Sequence, residues 1–203
     1  MSTSRIRNAR FAFVDVETTG IDPAIARVVE VAAQIVDRGE VIATFESLVD
    51  PGCTIPEFVT AIHGIDDGMV RGQPTLDALT PLLLDHCRDA VIVAHNAAFD
   101  RRFLPFLAAL PSACSYRLAA RVVPEAPNHR NQTLRAFFNV RDPLLRGGHA
   151  HRALADVVVT RHVFFHCLDR YLAAGHDDAL DALYTFLQPR SRQRVSAASA
   201  CRE

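Results

Sequence analysis

Apolar positions along the chain follow two rhythms. Between residues 10 and 51 they come in short, β-branched runs: 10–16, then RVVEVAAQIVD at 27–37 and GEVIATFESLVDP at 39–51. Runs of this length between turn residues predict three strands, with Gly39 in the turn joining the second to the third, hence an antiparallel meander. Beyond residue 51 the spacing becomes helical. IPEFVTAIHGI predicts a short helix ending near Gly64, and TLDALTPLLLDHC (75–87) a longer one. AVIVAHN (90–96) is continuously apolar and reads as a fourth strand. A helix follows directly over 97–110, bent or divided by Pro105, and another over 116–123. Residues 124–149 are rich in Pro, Gly and Asn and read as loop, with a short helix near TLRAFF. The longest helical pattern runs over 151–174, and a last one over 177–187. Strands followed by alternating strand and helix predict an α/β domain with helices packed on a mixed sheet. We bound it at 8–175, leaving a short C-terminal helix and a tail, PRSRQRVSAASACRE, with the composition of a disordered segment.

Composition changes this picture little. With 49 % hydrophobic and 22 % charged residues the chain can build a real core, and a formal net charge of −1 advertises no bulk attraction to nucleic acid. All 22 basic residues are arginine. Arginine suits bidentate phosphate contacts, but Arg beside abundant Ala equally reflects a GC-rich genome. The five cysteines at 53, 87, 114, 167 and 201 show no Cys-x-x-Cys spacing, so neither a disulfide framework nor a cysteine zinc site is indicated. That usage suits a reducing cytoplasm. The first apolar run is broken at Asp15, too soon for a signal peptide, and no run approaches the roughly 20 residues of a membrane span. The expected location is cytoplasmic, with no membrane partner.

The chemistry lies where acids interrupt apolar runs. Asp15 and Glu17 sit two apart in the first strand and so point to one face, about 7 Å apart along it. Phe11, Phe13, Val14 and Val16 mark that strand as buried rather than as a solvated edge. Neighbouring buried carboxylates repel and lift each other's pKa unless a cation joins them. Oxygen ligands without cysteine favour Mg²⁺ or Mn²⁺. Asp100 lies one helical turn past the fourth strand, whose end is marked by His95 and Asn96, the place where α/β sheets gather their sites. Asp156 is the only acid in an Ala-, Leu- and Val-rich stretch. His151 precedes it by five residues, about 140° away on an ideal helix, so His151 belongs before the helix or in its first turn, with Gly147 and Gly148 as hinges. His162 and His166 have the spacing of a zinc pair but no evident third ligand.

FVDVETTG, VAHNAAFD and HRALAD, in that order, resemble the three motifs of the DnaQ-like exonucleases. The four acids and His151 match residue by residue, and the His-x-x-x-x-Asp spacing is that of the histidine (DEDDh) branch. AIHGI, with His63, resembles a segment between the first two motifs. AHNAAFDRRFLP followed by CSYRLAARVVP is most similar to the exodeoxyribonuclease X group, without the further C-terminal extension that such enzymes can carry. The resemblance covers roughly 10–170 and implies a ribonuclease H-like fold: α/β, a mixed central sheet of about five strands flanked by helices. It implies a 3′→5′ exonuclease acting on nucleic acid 3′ ends, with single-stranded DNA favoured, and releasing nucleoside 5′-monophosphates. Two Mg²⁺ or Mn²⁺ ions, about 3.5–4 Å apart, would clamp the scissile phosphate. Asp15 would bridge them, Glu17 and Asp156 would hold the ion that activates water, Asp100 would support the other, and His151 would be the general base. Thr18 and Glu17 would meet the terminal 3′-hydroxyl, while His63, Asn96 and Phe99 would line the terminal nucleotide. Arg101 and Arg102 are adjacent on a helix and point to different faces, so at most one of them would meet phosphate. Family analogy leaves a homodimer open. The alternatives are a polymerase proofreading subunit, an RNA-trimming enzyme of the ribonuclease T type, and a non-catalytic nucleic-acid-binding protein on the same fold.

Overall fold

The computed structural model describes residues 5–146 and 151–188. Gly147, Gly148 and the tail from Pro189 lie outside the described residues. Five strands form one sheet: β1 Phe11–Thr18, β2 Val28–Asp37, β3 Glu40–Leu48, β4 Val91–Ala94 and β5 Ser112–Cys114. Their order is β3-β2-β1-β4-β5. β1 to β3 make the antiparallel meander, and β4 and β5 add parallel strands on the other side of β1. With helices on both faces, this is the ribonuclease H-like arrangement. Four of the strands follow the sequence pattern. β5 does not, since three residues between Pro111 and a helix carry no periodicity.

Among the described residues eight α-helices surround the sheet: α1 Glu57–His63, α2 Asp67–Val70, α3 Leu76–His86, α4 Ala97–Phe103, α5 Ser115–Val122, α6 Asn131–Phe137, α7 Ala153–Ala173 and α8 Leu180–Leu187. Their ends follow local chemistry. Thr75 starts α3 by accepting the Ala78 N–H on its hydroxyl. Gly64 ends α1 in the left-handed region, at φ 74°. Pro105 cannot continue α4, and a short 3₁₀ turn, Pro105–Leu107, follows it.

Alternation along β1 divides its side chains between two cores. Ala12, Val14 and Val16 face a cluster that includes Leu79 and Leu83 of α3 and Phe103 of α4. Phe11 and Phe13 face α7, where Phe164 packs edge-on against both at centroid distances of 5.3 and 5.6 Å. Fully burying such a side chain contributes about 1.5–3 kcal/mol. This aromatic contact sits two helical turns past Asp156, so it lays α7 along β1 with the helix start over the strand's end. α8 buries Leu183 and Leu187 in the same cluster.

At the end of β1 the register with β2 slips: Glu17 opposes Glu30 but Thr18 opposes Val28. The extra residue, Val29, leaves the main cores and packs with Ile55, Val59, Ile65 and Val70. The bulge therefore seats α1, and with it His63, beside the strand end.

Candidate active site

The acids converge as the topology dictates. Asp15 and Glu17 share the α7-facing side of β1, and Asp156 lies in the first turn of α7. Carboxylate oxygens of these three residues all lie within 4.8 Å of one another. Asp100, 4 % exposed in α4, comes in from the neighbouring β4 crossover, and its charge is felt at Asp15 more strongly than that of any other acid. His151, in the turn before α7, has Nδ1 4.0 Å from Asp156 Oδ2 and a largely exposed ring. Its backbone lies in the left-handed region, φ 65°, which is strained for a residue other than glycine.

Crowding shows in the acids' proton affinities. Burial, then the charges of Asp100, Asp156, Glu17 and Glu30, push Asp15 well above the usual carboxylate range. Burial first, then Asp156 and Glu30, raise Glu17 to about 8, against the opposing pull of Arg152. Burial raises Asp100 to about 7, although backbone N–H groups at Asp100 and Val16 pull it down. Asp156 is raised by burial, and His151, Gln132 and Asn131 oppose the shift. Oxygen donors that hold protons this firmly lack a counter-charge, and a hard divalent cation fits the set.

The remaining sequence candidates spread around this cluster. His63 is 2 % exposed; its Nδ1 accepts the Ile65 N–H at 3.0 Å, and Nε2 has no hydrogen-bond partner among the described residues. Burial holds its pKa below the usual value, opposed by the Thr18 backbone, so the ring sits neutral next to β1. The Thr18 hydroxyl donates to the Gly20 carbonyl at 2.6 Å. Asn96 is exposed at the start of α4, and its side chain makes no cap hydrogen bond. Phe99 is half-buried, 4.9 Å from Phe103, and packs against the core. No hydrogen bond or ion pair among the described residues joins Asn96 or Phe99 to the acids. Arg101 donates to Ser112 Oγ and the Ala108 carbonyl, and Arg102 lies over the Phe99 ring. His162 pairs with Asp142 and His166 stacks on Phe138, which accounts for that spacing without a metal.

Three further residues around the site are not among the candidates from the sequence. Gln132 Nε2 donates to Asp156 Oδ1 at 2.7 Å, and Asn131 Nδ2 donates to the same oxygen and to the Asp156 carbonyl. Together they fix the carboxylate's orientation. The third is Glu30, fully buried on β2. It could have been found as Asp15 was, being a charge flanked by Val28, Val29, Val31 and Ala32.

Residues 12–164 match the exonuclease family of the ribonuclease T type. The chain belongs to this DnaQ-like exonuclease family. The chain is 31 % identical over 172 residues to the PolC-type DNA polymerase III of Caldanaerobacter subterraneus subsp. tengcongensis, covering 81 % of this chain but 12 % of that polymerase. It is 29 % identical over 167 residues to the DNA polymerase III subunit epsilon of Aquifex aeolicus, covering 78 % of this chain and 80 % of that subunit. Among solved structures it superposes on Exonuclease X in complex with 5′ overhanging duplex DNA, with TM-score 0.67 and 27 % identity over 88 % of this chain and 99 % of that one. No helix among the described residues is long and apolar enough to cross a membrane.

Proposed function

We propose that this exonuclease removes nucleoside 5′-monophosphates from DNA 3′ ends, in repair or end processing, with a divalent pair, Mg²⁺ or Mn²⁺, held by Asp15, Glu17, Asp100 and Asp156. The observation that carries the reading is the cluster of carboxylate oxygens within 4.8 Å of one another, with His151 at its rim. When bound, the ions supply charge for the acids and Lewis acidity toward the scissile phosphate. The protein's own groups do the rest. Asp15 feels the charges of Asp100, Asp156 and Glu17 and would hold the ions together with them. Gln132 and Asn131 keep Asp156 turned toward it. His151, with Nδ1 4.0 Å from Asp156 Oδ2, stands at the rim of the cluster and would take the proton from the attacking water. The imidazole is exposed, so that proton can pass on to solvent. Exposed Asn96 is open to the terminal nucleotide, and buried His63 backs the end of β1 beside it.

DNA is favoured because the 27 % identical solved relative was captured on duplex DNA. The polymerase relatives favour a second reading of the same chemistry, proofreading within a polymerase assembly. The test is Mg²⁺-dependent release of mononucleotides from 3′-labelled and 5′-labelled single-stranded DNA and RNA, with Asp15→Ala and His151→Ala alongside. Release from the 3′ end of DNA, abolished in both variants, is expected. Unchanged hydrolysis in either variant removes that residue from the mechanism, and release from 5′ ends refutes the polarity.

A further inference from the structure

Glu30 is a carboxylate with no exposed surface, near the start of β2 and directly opposite Glu17. Like charges paired across strands repel, and a buried charge persists only when it is paired and hydrogen-bonded. Its partners come from 122 residues away. Arg152 Nε donates to both Glu30 oxygens at 3.0 Å, Arg152 Nη2 donates to Oε1, and the Ala153 N–H donates to Oε2 at 2.8 Å. This two-pronged guanidinium contact fixes direction as well as distance. Ala153 is the first residue of α7, so the same carboxylate also satisfies one of the helix's open N–H groups. The pair therefore anchors the start of α7 to β2 at the position beside Glu17.

We infer that the Glu30–Arg152 pair is a positioning device for the metal and base residues of the site, resting on the exonuclease reading above. His151 immediately precedes Arg152 and holds a strained left-handed backbone. Such a conformation lasts only where its surroundings over-determine it, and the adjoining clamp is what fixes the next residue. Asp156 follows three residues after Ala153, on the first turn that Glu30 holds. One buried carboxylate thus sets His151 and Asp156 against Asp15 and Glu17, although it touches neither substrate nor the ion site.

The experiment uses Arg152→Lys, which keeps the charge and loses the fork, and the double variant Glu30→Gln/Arg152→Met, which leaves no unpaired buried charge. Each is measured for thermal midpoint, Mn²⁺ binding by calorimetry, and kcat and KM on single-stranded DNA. Both variants are expected to fold, to bind Mn²⁺ about 10–100-fold more weakly, and to lose kcat by a similar factor with KM little changed. Wild-type Mn²⁺ affinity and kcat in the folded double variant would overturn the assignment. So would full rescue by lysine, which would reduce the pair to charge neutralisation, or a loss confined to KM, which would make Arg152 a substrate contact. If the wild-type chain cleaves no nucleic acid, the function reading fails while the Mn²⁺ titration still decides the clamp.

Discussion

Removing divalent metal and then raising the pH should weaken the fold through its own active site. Glu17 rises from an ordinary 4.5 to about 8 in the folded protein. Between those values the folded state keeps a proton that the unfolded chain has released, so unfolding sheds protons and stability falls as pH rises. The penalty is absent below about pH 4.5 and complete above about pH 8. At 1.36 kcal/mol per pKa unit, the full shift corresponds to about 5 kcal/mol. Glu17 keeps part of its surface open, and solvent screening reduces the observable effect to about 2–3 kcal/mol. For a chain of 203 residues that is roughly 5–10 °C in thermal midpoint. Asp100, raised to about 7, acts in the same direction over a lower window, and the two effects do not add because both belong to one cluster. The assay is differential scanning calorimetry in EDTA and in Mg²⁺ from pH 5 to 8.5. The midpoint should fall with pH in EDTA, stay nearly level in Mg²⁺, and fall less steeply in Glu17→Gln. A flat EDTA profile, or one that rises with pH, would refute the crowding of these carboxylates.

Gln132→Leu should leave the fold intact but free Asp156 to rotate, raising the Mg²⁺ concentration needed for half-maximal nuclease activity by about 10–100-fold. A metal-dependence curve on the variant checks this, and wild-type demand would show that Asn131 alone holds the carboxylate. Phe164→Ala should destabilise by about 3–5 kcal/mol, since it empties the contact with both Phe11 and Phe13. Urea unfolding measures that, and a loss under 1 kcal/mol would mean the neighbouring Phe165 refills the space.

Legibility in the sequence followed the range of the interaction. The meander showed because each strand carries its own pattern and short turns fix its neighbours. The acids showed because a charge inside an apolar run is anomalous wherever its partner lies. β5 was invisible, since its three residues are a strand only by pairing with β4. Gln132 and Asn131 were invisible because polar residues in a loop-rich stretch look like solvent-facing ones until Asp156 is placed above them. Glu30 lay between. Its setting in an apolar strand was as anomalous as that of Asp15, but no second acid stands two residues away to mark a pair, and Arg152 gave no local hint of the contact.

The order in which the four acids occur along the chain bears on how this enzyme comes into being. Asp15 and Glu17 emerge early in synthesis, within strands that pair locally, whereas Asp156 arrives about 140 residues later on a helix that must dock across the sheet. Closure over so long a stretch is slow relative to local pairing. A chain that stops short of α7 therefore holds Asp15 and Glu17 without Asp156. The cluster of acids is complete only once the last contributing helix seats on the sheet.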